Sequence, residues 1–182
     1  MIWIILGVVL VLILLYVVAT YNKLVGGRNK VDGEWAQIDV QLKKRIDLIP
    51  NLVETVKGYA KHEKTALEEV INARSKALSA KTDDEKMAAA GEVSGALSRL
   101  FALAEAYPDL KANTNFLDLQ STLKDIEDKI AYARQFYNDA AKVYKNMIEM
   151  FPSNIVALLF KFSAKPFFEV SEEERKAPEV KF

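Results

Sequence analysis

The only histidine of the chain, His62, stands directly before a carboxylate, Glu63. On a helix, that pair would open a zinc-hydrolase motif, which needs a second histidine one turn further on. Position 66 is alanine, and no other histidine can take the role. The pair therefore reads as part of a solvated helix face. His62 is also the only histidine that a serine nucleophile could use as a base. No G-x-S-x-G turn exposes such a serine, and Ser94-Gly95 falls inside a predicted helix. Gly26-Gly27 precedes Arg28 without the lysine–hydroxyl pair of a phosphate-binding loop. Cysteine is absent, which removes disulfides and thiolate-bound zinc. No catalytic residue, metal ligand or cofactor site is assigned, and the chain is not expected to be an enzyme.

A second constellation is polar but not catalytic. Asp39, Arg45, Asp47 and Asn51 lie within one stretch. Asp47 and Asn51 are one helical turn apart and share a face. Arg45 falls on an otherwise apolar stripe, so its head must snorkel or find a carboxylate. Neither Asp39 nor Asp47 is at the favourable i,i+4 spacing, so its partner is expected on another helix, with Glu127 the candidate. A buried pair would set the register between helices. The alternative is a polar patch that grips a partner.

The elements that must position these groups begin with an anchor. Residues 1–22 carry no charged side chain, and residues 1–19 form one apolar run, MIWIILGVVLVLILLYVVA. A helix needs about 20 such residues to cross the hydrocarbon core. A cleaved signal peptide is the rival reading, but it would have a basic start and a shorter apolar stretch. No Lys or Arg precedes Lys23, so a retained anchor is expected. Trp3 and Tyr21 stand near its two ends, where amphipathic rings favour the interface, and Lys23 and Arg28 follow with Lys30. The positive-inside rule then places the N-terminus outside and the body in the cytoplasm.

The body, residues 23–168, reads as an all-α antiparallel bundle of long helices. Residues Phe116, Leu119, Leu123, Ile126, Ile130, Ala133, Tyr137, Ala140, Tyr144, Met147 and Phe151 alternate spacings of three and four. That a/d pattern predicts one helix capped by Asn113 or Thr114 and stopped by Pro152. Val31, Trp35, Ile38, Leu42, Ile49, Leu52, Val56 and Tyr59 keep the same spacing within a segment reaching about Ala80. Pro50 should kink or break it into two nearly collinear helices. Gly26-Gly27 offers a hinge between the anchor and the helix from Arg28. Thr82-Asp83-Asp84-Glu85 is a capping box for a third helix, which ends before Tyr107-Pro108. Residues 107–113 form a loop.

A short helix is expected from Ile155 to about Phe162, with Ile155, Leu158, Leu159 and Phe162 on one face. The greasy segment IVALLFKFSAKPFF has two possible fates. It packs on the bundle, the commoner outcome for an amphipathic helix, or it lies in the membrane interface with Lys161 and Lys165 at headgroup level. Residues 169–182 read as an exposed charged tail. Lys+Arg and Asp+Glu number 25 each, so no nucleic-acid footprint is expected.

Several blocks resemble the LemA family of bacterial membrane proteins. They are YNKLVGGRNKVDGEWAQIDVQLKKRIDLIPNLVETVKGYAKHE, YPDLKANTNFLDLQSTLKDIEDKIAYARQFYNDA, FPSNIVALLF and the final PEVKF. The resemblance implies one N-terminal membrane helix and an antiparallel helical bundle. It implies no catalytic residue. Family associations with magnetosome membranes, and with genes for membrane proteases and TPM-domain proteins, suggest membrane organisation or envelope quality control. The leading expectation is thus a membrane scaffold or assembly protein, with the lipid bilayer and further copies of itself as partners. The runner-up is an adaptor or regulator of a membrane protease.

Overall fold

A computed structural model describes residues 1–168, and the tail expected at 169–182 lies outside them. Six helices occur among the described residues, in the order α1 (Ile2–Tyr59), α2 (Lys64–Ser79), α3 (Asp83–Ala104), α4 (Pro108–Lys111), α5 (Thr114–Glu149) and α6 (Ser153–Leu159). Packing divides them into two units. Unit 1 holds residues 1–37 and 133–167, and unit 2 holds residues 38–132 with Phe168. The boundaries at 37/38 and 132/133 are not breaks in secondary structure, since α1 and α5 each contribute to both units.

Unit 2 is built on the predicted periodicities. Its core joins Ile49, Leu52 and Val56 of α1 to Leu67 and Val70 of α2. Val93, Leu97 and Leu100 of α3 and Phe116 and Leu123 of α5 complete it. The capping box of α3 is formed as expected. Thr82 Oγ1 accepts from the Glu85 amide at 3.2 Å, and Glu85 Oε2 accepts from the Thr82 amide at 3.1 Å. Backbone donors at Lys81 and Thr82 hold the Glu85 carboxyl below its ordinary value. Asn113 caps α5, its Oδ1 accepting from the Phe116 amide at 3.0 Å. The small side chains Ala89, Ala90 and Ala96 are buried on α3.

The expected break at Pro50 does not occur. Helix α1 runs through it. A proline at position 50 cannot donate to the carbonyl of Ile46, one turn back. Arg74 of α2 takes that place, its Nε donating to the Ile46 oxygen at 3.2 Å. The ring itself is exposed. With the orphaned acceptor satisfied and room for the ring, the helix continues. The chain breaks instead at residues 60–63, which turn into α2. His62 is therefore an exposed turn residue rather than part of a helix face.

Unit 1 pairs the start of α1 with the end of α5. The proposed glycine hinge is absent, because Gly26 and Gly27 lie inside α1. Gly27 is instead a point of close approach. A Cβ there would lie 3.1 Å from the Tyr144 ring and 3.3 Å from Met147 Sδ, whereas Gly26 faces open space. Two smaller differences concern the loops. Residues 108–111 form one helical turn with proline at its start, and α6 begins and ends earlier than expected. Val156 and Ala157 are its buried side chains, while Ile155, Leu158 and Leu159 face outward.

Candidate functional site

The first candidate is the Arg45 node of unit 2. The helical period that carries Ile38 and Leu42 into the core carries Arg45 in with them, and its side chain is 1% exposed. A buried guanidinium needs partners for its donors. Nη1 donates to Glu127 Oε2 at 2.6 Å and to Ser94 Oγ at 2.8 Å. Nη2 donates to the Ala90 carbonyl at 3.0 Å. Of the two outcomes open to Arg45, the structure has the carboxylate, and it is Glu127 on another helix. The node joins α1, α3 and α5.

The other members of the expected polar patch do not converge on Arg45. Asp39 pairs with Lys86 of α3 at 2.7 Å. Asp47 pairs with Lys43 on the exposed side of α1 at 2.8 Å. Asn51 is exposed, and its carbonyl accepts from Thr55 Oγ1 at 2.8 Å. Asp39, Arg45 and Lys86 border a cleft of about 190 Å³, otherwise lined largely by apolar side chains such as Leu42, Ile46 and Val93. Glu63 accepts from the Tyr107 hydroxyl at 2.7 Å, a bond that raises the tyrosine above its ordinary value. No group of three or more His, Asp or Glu side chains able to hold a metal occurs among the described residues.

The second candidate is the collar of unit 1. An 18-residue stretch of α1 has a mean hydropathy of 3.2, and none of it is buried. Burial begins at Thr20 and continues at Leu24 and Val31. At that same level the chain returns after α6. Lys161 takes a left-handed conformation (φ 57°), so that its amide bonds the Leu158 carbonyl and the Phe162 amide bonds the Ala157 carbonyl. The turn delivers Phe160 and Phe162 onto Tyr21, with ring centroids 4.9 and 5.6 Å apart. The Arg28 guanidinium lies 5.6 Å from the Phe162 ring centre.

Further contacts strap the following residues down. Lys165 pairs with Asp32 at 2.9 Å, and the Tyr137 hydroxyl donates to the Pro166 carbonyl at 2.8 Å. Trp3, at the far end of α1, is exposed, as is Lys23. Sequence reasoning marked Tyr21 and Arg28 but missed Phe160 and Phe162 as their neighbours, and Tyr137 as the donor to Pro166. These rings were visible only as greasy or stripe residues. Nothing in the sequence marked Arg74 as the partner of Ile46.

Among the described residues, fold and sites together define an all-helical protein with one N-terminal helix long and apolar enough to cross a membrane. The LemA family model matches residues 34–182, and the chain belongs to that family. Protein LemA of Metamycoplasma hominis is 27% identical over 158 residues, 85% of this chain and 71% of that protein. Magnetosome protein MamQ 2 of Paramagnetospirillum magneticum is 32% identical over 83 residues, 46% of this chain. Magnetosome protein MamQ of Magnetospirillum gryphiswaldense is 30% identical over 82 residues, 45% of this chain. The aligned region spans 30% of the length of either MamQ protein.

Proposed function

We propose that this protein is a membrane-anchored, non-enzymatic helical scaffold or assembly component. One observation carries the reading. The most apolar stretch of the chain is helical and wholly unburied, whereas the core helix of a water-soluble protein would hide that surface. Its α1 continues without interruption into the buried positions Thr20, Leu24 and Val31, which favours a retained anchor over a removed leader. Lys23, Arg28 and Lys30 flank the span, and by the positive-inside rule they support a cytoplasmic body. Anchoring confines copies to two dimensions and raises their effective concentration, so weak lateral contacts between helix faces suffice for assembly.

Two measurements on the full chain test this. Protein expressed in membranes should resist extraction by alkaline carbonate, and release into the supernatant would refute anchoring. Native mass spectrometry from mild detergent should show oligomers of the purified protein. Monomer alone would refute self-assembly.

A further inference from the structure

The collar of unit 1 leaves one surface without a protein partner among the described residues. Helix α6 buries Val156 and Ala157, yet Leu158 is 83% and Leu159 69% exposed, and Phe151 just before the helix is 79% exposed. Packing on the body therefore accounts for one side of this helix only. We infer that the other side, with Phe151, Leu158 and Leu159, inserts into the headgroup–acyl boundary of the bilayer leaflet from which α1 emerges, as a second membrane contact. This inference rests on the anchored reading above.

Three observations identify lipid as the occupant. The first is height. Tyr21 lies 19 residues beyond Ile2 in one helix, or about 29 Å along its axis at 1.5 Å per residue. The hydrocarbon core is about 30 Å thick. The rings of Phe160 and Phe162 pack on Tyr21, so the outward leucines, one and two residues before Phe160, are held near the plane where the span ends. The second is continuity, since the unburied surface of α1 runs down to Thr20, beside the residue to which this segment is tied.

The third is charge. Residues 19–31 and 150–164 contain no Asp or Glu, while Lys23, Arg28, Lys30 and Lys161 are basic; Lys165 beyond them is paired with Asp32. Lysines beside apolar side chains suit a layer of anionic headgroups over acyl chains. A basic rim suits a water-soluble partner less well when the surface it surrounds is leucine and phenylalanine. The left-handed Lys161 adds a geometric reason. It turns the chain back sharply after Leu159, so the apolar side chains form the tip of a closed turn rather than a strand leading elsewhere.

The chain has no cysteine, so single cysteines can be labelled cleanly. Full-length Leu158→Cys and Leu10→Cys would each carry an environment-sensitive fluorophore in phosphatidylcholine–phosphatidylglycerol vesicles. Both positions are exposed, so neither substitution removes packed atoms. Brominated acyl chains should quench the label at 158 to an extent approaching that at 10, and aqueous iodide should quench neither. Iodide quenching at 158 with lipid quenching at 10 would overturn the insertion while leaving the anchor standing. Protection from both quenchers at 158 would mean that protein, such as a second copy, covers the leucines, and would overturn it as well. Loss of lipid quenching at 10 would instead defeat the anchored reading itself.

Discussion

The two units treat polarity in opposite ways. Unit 2 takes a guanidinium inside and surrounds it with a carboxylate, a hydroxyl and a carbonyl. Unit 1 turns its most apolar residues outward, along α1 and at the tip of α6. Each is unfavourable in a water-soluble protein unless something compensates. In unit 2 the compensation is internal and visible as short hydrogen bonds. In unit 1 it must come from the surroundings, and the bilayer proposed above would supply it. The difference teaches that a buried charge here reports on how helices are registered, whereas the exposed apolar surface reports on solvent. The same amphipathic rule, applied to both, yields structure in one place and location in the other.

The sharpest way to break the comparison is at the node. Glu127→Ala leaves Arg45 buried without its carboxylate and should cost about 3–5 kcal/mol in unfolding free energy. Arg45→Met should cost less, about 1–2 kcal/mol, because the freed Glu127 is 41% exposed and can be hydrated. Denaturant titration in mild detergent checks both. Equal costs, or none, would remove the structural reading of the node and favour a partner-binding role.

Unit 1 can be probed at its adjacent glycines. Gly27→Leu must displace the buried Tyr144 ring and should destabilise by about 1–3 kcal/mol. Gly26→Ala meets open space and should stabilise by up to about 1 kcal/mol, the helix-propensity difference. Parallel melting curves decide the matter, and equal signs would restore the hinge. The Pro50 device of unit 2 predicts coupling. Arg74→Met should cost about 1–2 kcal/mol by stranding the Ile46 carbonyl. In a Pro50→Ala background the new amide can bond that carbonyl, so the same change should cost less. A double-mutant cycle measures the difference.

The smallest effect concerns acid. The Glu85 carboxyl is held below its ordinary value of 4.5 in the fold. Its contribution to stability is therefore present above that value and is lost as pH falls through the lower, folded value. Glu85→Gln should flatten this part of the acid limb in a pH series of melting temperatures. An unchanged limb would assign the acid sensitivity to other carboxylates.

Much of unit 2 was legible before any coordinates. Periodicity marked the core faces of α1, α3 and α5, the capping box set the start of α3, and Arg45's stripe position required its head either to snorkel or to find a carboxylate. These signals are local or follow from one helix's own period. The misreadings share the opposite character. Pro50 looked like a break because the donor that compensates for it comes from residue 74, at a separation no local rule reaches. Gly26-Gly27 looked like a hinge because the need for glycine arises from Tyr144 and Met147, more than a hundred residues away.

By itself, the sequence determined that the chain is helical, where its apolar faces run and that its first helix is apolar enough for a membrane. Those properties depend on side-chain chemistry at intervals of three and four residues and on the length of an uncharged run. Only the tertiary structure decided which apolar face is covered. Val156 and Leu158 are two residues apart and chemically alike, yet one is buried and the other exposed. The rings of Phe160 and Phe162 fold back onto Tyr21, and that long-range contact sets which side of α6 meets protein and which side is left to face outward.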